Sequence, residues 1–318
     1  MLGKRPWSEE RISKAYWHDH KALEEELATH PGRVYHLEMV RIKKGGEIFE
    51  KATEELTEVI SAYKRELDKE SIPTRRTQSR FDLLDTTLCM RMIMASVAAM
   101  SLVDYSRRSR RNLPEIPNFD DMRKQLFSGE PPHEFIQDLR NYAAHYDLPT
   151  SEWEFSVIWH NDARGKEERI DLFIDSKKLL EFNDWKPASR AFLSRNERIG
   201  LEEVFSQYKQ KVVNFNQWLL SVIEKEVGEN IQDYRRSVVI VERERWRCRL
   251  TLAISRTDPK ATDFLGAFHE HLTLQEKVEL ECYPTRSDKQ LERLREVLNV
   301  YGAFDDELYE ELRKKSQI

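Results

Sequence analysis

Apolar residues recur at three- and four-residue spacing along most of the chain. From Glu47 onward, Ile48, Phe49, Ala52, Leu56, Val59, Ile60, Tyr63 and Leu67 keep that spacing and predict an amphipathic helix. A polar loop, Ser71–Arg80, follows, with Pro73 as its stop. A second helix is expected from about Phe81 to Arg107. It is apolar nearly all round, through Met90, Met92, Ile93, Met94, Val97, Ala98, Ala99, Met100 and Leu102. Such a helix is buried centrally or lies in a subunit interface. Pro114 and Pro117 break the pattern, and Asp120–Phe127 makes a short helix ended by Ser128–Gly129. Pro131 and Pro132 suit the first turn of a third long helix. It turns Phe135, Ile136, Leu139, Tyr142, Ala143 and Tyr146 inward and stops before Pro149. A fourth, Leu201–Val227, carries Val204, Tyr208, Val212, Phe215, Leu219 and Ile223, with Gly228 as a natural stop.

Elsewhere the period differs. Glu154–His160 and Arg169–Asp175 alternate and flank a polar stretch, which predicts a β-hairpin. Near the N-terminus a helix is expected over Glu9–Thr29, a strand over Arg33–Ile42, and a break at Lys43–Gly46. After Gly228 the pattern predicts β-structure at Val238–Ile254 and a strand at Val278–Tyr283. Helices are expected at Thr262–His271, Asp288–Val300 and Asp305–Lys314. The expected fold is mainly α. An extension (1–45) precedes a four-helix bundle (46–228) with a β-hairpin near 154–175, and a small α+β region (229–318) follows.

Composition narrows the function. The chain has 318 residues, enough for one large domain or two ordinary ones, and its 34% charged residues make it very polar. Its 7 Trp, 11 Tyr and 14 Phe argue against disorder. Only 10 Gly make glycine-rich phosphate cradles an unpromising idea, and the usual nucleotide and metalloprotease motifs are absent, so no cofactor is expected. A net charge of -5 speaks against a uniformly basic nucleic-acid coat but leaves room for a local basic groove. Cys89, Cys248 and Cys282 lie far apart, so neither a disulfide framework nor a cysteine zinc site is expected. The first residues lack the apolar core of a secretory signal, and the apolar run Met92–Val103 is too short for a membrane span. A cytoplasmic protein is the expectation.

The sharpest candidate chemistry is RNYAAH, Arg140 to His145, at the end of the third long helix. His145 could handle the 2′-OH proton or protonate the leaving 5′-oxygen of RNA. Arg140 could hold the scissile phosphate with its bidentate fork, and Asn141 could orient either. Arg, Asn and a His five positions after the Arg, on a helix of a four-helix pattern, resemble the HEPN superfamily. That resemblance covers residues 46–228. It implies a dimeric helical bundle that cleaves RNA without metal, leaving a 2′,3′-cyclic phosphate. It also implies a role in phage defence or in a toxin–antitoxin pair, with an antitoxin or defence protein as partner. On an ideal helix Arg140 and His145 lie about 140° apart, so a composite site across a homodimer axis is expected.

Other features support different chemistry. Arg107, Arg108, Arg110 and Arg111 form a basic cluster suited to RNA phosphates. Arg243, Arg245, Arg247 and Arg249 would share one face of the strand expected there. Asp175 and Lys177, with Asp162 and Asp171 upstream, resemble the metal-binding element of metal-dependent nucleases, the second alternative to RNA cleavage of HEPN type. The first alternative is a noncatalytic module that binds RNA or a protein. His18, Asp19, His20, His30 and His36 crowd the N-terminus without a metal-ligand spacing, so no metal is assigned to them.

Overall fold

The computed structural model describes residues 5–70, 74–128, 131–159, 166–258 and 264–316. The helices are α1 (Glu9–His18), α2 (His20–Ala28), α3 (Pro31–Glu70), α4 (Gln78–Asn112), α5 (Phe119–Phe127), α6 (Pro131–His145), α7 (Ser176–Leu180) and α8 (Pro187–Arg195). After these come α9 (Leu201–Arg256), α10 (Leu274–Glu281), α11 (Asp288–Leu298) and α12 (Asp306–Ser316), with a 3-10 helix at Phe264–His271. The strands β1 (Glu152–Trp159), β2 (Lys166–Asp175) and β3 (Arg198–Gly200) form one antiparallel sheet in that order. The chain is therefore mainly helical with a small sheet. It divides into two units, residues 37–228 and residues 1–36 with 229–318, and the division falls inside α3 and α9.

In the 37–228 unit the helical stripes meet in one core, with Phe49, Leu56, Leu88, Met92, Phe135, Leu139 and Tyr208 all buried. The near all-round apolarity of α4 resolves into two faces. Phe81, Leu88, Met92, Ala95 and Ala99 are buried, while Leu83, Met90, Met94 and Val97 are exposed. At about 100° per residue those two sets fall on opposite sides of the helix. The hairpin pairs Phe155 with Ile170, and β2 then pairs Ile174 with Ile199 of β3. Ile170, Leu172 and Ile174 alternate along β2 and close the core from the sheet side.

Two buried carboxylates fix how these helices dock. Glu38, 1% exposed, accepts from Ser109 Oγ at 2.8 Å and Asn112 Nδ2 at 2.7 Å, and pairs with Arg41 at 2.6 Å. It ties the end of α4 to α3. Asp138 of α6 accepts at Oδ2 from Ser189 Oγ at 2.6 Å and from the Lys186 backbone N–H at 3.2 Å. Its Oδ1 lies 2.8 Å from Lys186 Nζ. Asp138 thus meets the start of α8, where backbone N–H groups lack helical partners.

In the other unit, Trp7, Ile12 and Leu23 pack on Ile240 and Val241 of α9. Ser13 Oγ and Trp17 Nε1 donate to the buried Glu244 at 2.8 and 3.0 Å. A second core joins Leu250 and Ile254 of α9 to Phe264, Phe268, Leu291, Leu298 and Leu308.

Several expectations are overturned. Arg33–Ile42 is helical, not a strand, and α3 runs on through Lys43–Gly46 without a break. Its β-branched residues are outweighed by a helical stripe in which Met39, Ile42 and Phe49 are buried. Gly46 serves close packing: a Cβ there would come within 2.6 Å of Asn216 Nδ2. Gly228 does not stop α9, and Val238–Ile254 is its continuation rather than β-structure. The alternation there was local, whereas burial of Ile240, Val241, Leu250, Ala253 and Ile254 follows the helical repeat. Val278–Tyr283 is likewise no strand. Thr273 and Glu276 form a capping box that starts α10 in its place. Among its described residues the 229–318 region is therefore helical, not α+β. Tyr146, expected inward, is half exposed just beyond α6. Residues 71–73, Gly129 and the hairpin connection 160–165 lie outside the described residues.

Among the described residues, α4 alone has the length and hydropathy of a membrane span. One side of it packs in the core, and Arg91 pairs with Glu55 of α3. The docking of α6 predicts a stability effect. Asp138→Ala leaves the α8 start and Lys186 without their buried acceptor and is expected to cost about 3 kcal/mol. Urea denaturation followed by far-UV circular dichroism measures it, and a loss below about 1 kcal/mol contradicts the assigned role.

Candidate functional site

The α6 helix holds two groups of polar residues. Its apolar side chains Phe135, Ile136, Leu139 and Tyr142 are buried where it packs on α4 and α8. That leaves Arg140 and His145 exposed and Asn141 half-buried. Arg140 Nη1 donates to Asn141 Oδ1 at 3.1 Å. Among the described residues Arg140 pairs with no carboxylate, and His145 has no hydrogen-bond partner. The helix stays intact through His145. The five-residue separation therefore keeps its turn of about 140°, which brings Arg140 to Asn141 and leaves His145 on a different side. Asp147 lies near enough to Cys89 of α4 that it adds to burial in pushing that thiol up. The motif end of α6 thus sits beside the middle of α4.

The basic cluster lies in the last turns of α4. With Ser109 buried against Glu38, Arg107, Arg108, Arg110 and Arg111 face solvent. Arg110 forms a fork with Asp120, 3.1 and 2.8 Å, and its guanidinium lies 5.0 Å from the Phe119 ring centre. Arg123 of α5 shares Asp120 at 3.4 Å, and Arg107 approaches Asp104 at 3.7 Å. Arg107, Arg110, Arg111 and Arg123 line a cavity of about 480 Å³, while Arg108 does not.

The cavity wall is largely aromatic, with Phe119, Phe127, Tyr208 and Phe215 beside Leu102, Val103 and Val212. His133, at the start of α6, lies 4.7 Å from the Phe127 ring. Its Nε2 lies 2.8 Å from Gln137 Nε2, and its Nδ1 lies 3.2 Å from Tyr208 Oη. Burial, then Lys186, Arg107 and Arg123, push His133 down to about 4. Burial also raises the Tyr208 hydroxyl. Asn216 closes the cavity at α9. It is 7% exposed, and its Oδ1 has no hydrogen-bond partner.

The remaining candidates take structural places. Asp175 caps α7, accepting from the Lys177 N–H at 2.8 Å, and Lys177 Nζ pairs with Glu197 at 2.7 Å. Asp162 lies outside the described residues. Arg243, Arg245, Arg247 and Arg249 do not share a strand face. Arg243 pairs with Glu9, Arg245 with Glu242, and Arg247 with Asp305, while Arg249 lies 6.0 Å from the Trp246 ring. His30 is buried against Asp233 at 3.2 Å, His20 pairs with Glu24, and His36 accepts from Arg235 Nε. Among the described residues no group of three His, Cys, Asp or Glu is placed to hold a metal ion. Comparison with family models, with curated proteins and with solved structures finds no match.

His133, Arg123 and Asn216 were missed in the sequence. Nothing in their local pattern marks them, because the cavity is assembled from four helices. The depressed His133 makes a pH prediction. Between about pH 6.5 and 4 the unfolded chain binds a proton that the folded one refuses, so stability falls as pH drops through that window. The expected loss is on the order of 3 kcal/mol. Denaturation of wild type and His133→Gln at pH 7 and pH 4.5 measures it. An equal acid sensitivity in both rules out His133 as the source.

Proposed function

We propose that the chain cleaves RNA without metal as a homodimer, with Arg140, Asn141 and His145 as its catalytic residues. The observation that carries this reading is that none of the three is spent on the fold. Arg140 and His145 are exposed, and Arg140 is aligned by Asn141 and not neutralised by an acid. A guanidinium free of carboxylates can hold a phosphate bidentately. An exposed imidazole at a helix end can exchange protons with a substrate and water. In this reading the 2′-OH attacks the adjacent phosphorus, the 5′-oxygen leaves with a proton, and a 2′,3′-cyclic phosphate and a 5′-OH result. Arg108, which lies outside the cavity lining, meets the RNA backbone. A role in phage defence or beside an antitoxin belongs to the same reading and rests on the resemblance to HEPN proteins.

The unbroken turn between Arg140 and His145 favours a composite site for catalysis and, for one chain alone, a noncatalytic RNA-binding module. The exposed face of α4 offers the dimer surface. Leu83, Met90, Met94 and Val97 form one stripe, extended by Ile48 of α3 into a shallow apolar groove beside Met94 and Val97. Because the α6 motif end lies beside α4, pairing through that stripe carries two motifs toward one axis.

Two outcomes are expected. RNA cleavage persists in EDTA, falls about 10²–10⁴-fold in His145→Ala and about 10²–10³-fold in Arg140→Ala, and recovers little in Arg140→Lys. Asn141→Ala costs less than either. Assay of a labelled single-stranded RNA, with product ends mapped, checks this. Loss of activity in EDTA, or full activity in His145→Ala, sinks the reading, and binding without cleavage leaves the noncatalytic one. Separately, Met94→Glu with Val97→Glu is expected to give monomers by light scattering and to abolish cleavage. A monomeric wild type that still cuts RNA excludes the composite site.

A further inference from the structure

The cavity beneath the last turns of α4 has no part in RNA cleavage as proposed. His133 lies about 18 Å of helix rise from His145. Its construction combines three properties. The wall is apolar and aromatic, with the Phe127 ring in contact with both Tyr208 and Phe215. The rim is cationic, with four guanidinium groups against the two acids Asp104 and Asp120. Four positive charges less two negative leave a surplus of two at the rim. The third property is its closed inner end, where Asn216 of α9, more than nine-tenths buried, completes the lining.

Wall and rim each reject a simpler occupant. An inorganic anion would satisfy the rim and leave the aromatic wall wet. A neutral hydrocarbon would fill the wall and strip water from guanidinium groups it cannot pair. The volume, about 480 Å³, suits a small organic ligand. His133, held neutral, keeps the deep end free of charge, so charge recognition is confined to the rim.

We propose that this cavity binds a small amphiphilic anion. Its flat apolar body rests on Phe127, Tyr208 and Phe215. A terminal phosphate or carboxylate meets Arg107 and Arg111. Arg110 and Arg123 form the rest of the rim while holding Asp120. The site is independent of the RNA reading, since it uses none of Arg140, Asn141 or His145.

Isothermal titration of the full chain at low salt tests it with 1-naphthyl phosphate, 1-naphthoate, 1-naphthol and inorganic phosphate. The expected result is that naphthyl phosphate or naphthoate binds at least tenfold tighter than naphthol and inorganic phosphate. Whichever of the two binds better identifies the head group. Arg107→Ala with Arg111→Ala should weaken that anion at least tenfold and leave naphthol unchanged. Val212→Trp, which fills the cavity, should abolish binding of the anion. If Val212→Trp fails to fold, the double arginine variant carries the test alone. Binding no tighter than that of inorganic phosphate overturns the proposal, as does binding that survives both variants. Displacement of naphthyl phosphate by a single-stranded RNA at lower concentration also overturns it, because the cavity would then belong to an RNA surface. Loss of RNA cleavage in His145→Ala with unchanged naphthyl phosphate binding keeps the two readings separate.

Discussion

A buried carboxylate decides which way α6 faces. Asp138, 2% exposed, is held by Ser189, by the Lys186 backbone and by the Lys186 ammonium. A charge that deep is tolerable only when so satisfied. Rotating α6 would strip it of three partners at once, so the rotation is fixed more firmly than apolar packing alone would fix it. Arg140 lies two residues on, about 200° round the helix, and is therefore driven outward. His133, a turn and a half earlier, is turned toward Tyr208 and the cavity. Glu38 does the equivalent for α4: with Ser109 buried against it and Asn112 bonded to it, Arg107, Arg108, Arg110 and Arg111 are turned away from the core. Both polar sites are thus consequences of where two acids are buried.

The α4 helix shows how a composition can satisfy two demands. Its inward side supplies core residues, and the outward side repeats Leu83, Met90, Met94 and Val97 along one line. Burial of the first set stabilises the unit, at about 25 cal/mol per Å² of apolar surface removed from water. The second set is exposed on the single chain, and it is the surface that the proposed homodimer would cover. Arg91 lies between the faces and reaches back to Glu55, so the helix can be this apolar and still be anchored by charge.

Much of the fold was legible because long helices announce themselves by repetition. The stripes of α3 after Glu47, α4, α6 and the first half of α9 were each readable, as were the hairpin and the two last helices. The misreadings share one cause. Arg33–Ile42, Val238–Ile254 and Val278–Tyr283 carry β-branched residues or alternating charge, and that local pattern outweighed a helical repeat that the folded chain reveals by burial. Gly45, Gly46 and Gly228 look like punctuation but lie inside helices, and at Gly46 the reason is a neighbour on α9 that only the folded chain supplies. The candidate residues divide similarly. RNYAAH could be read because its members are adjacent. The aromatic cavity could not, since Arg111, Phe127, His133 and Asn216 come from four separate helices.

The pairing of Gly46 with Asn216 is the least explicable part of the core on packing grounds alone. Glycine inside a helix costs roughly 1 kcal/mol against alanine. A buried acceptor without a donor costs about 1–3 kcal/mol more. A chain that needed only to dock α3 on α9 could place alanine and leucine at these positions and recover both terms. The fold instead keeps a small residue on one helix so that an amide on the other can stand at the edge of an aromatic cavity rimmed with guanidinium groups. Local rules broken at one place, with the surrounding structure arranged to hold the result, are the mark of a site and not of a packing defect.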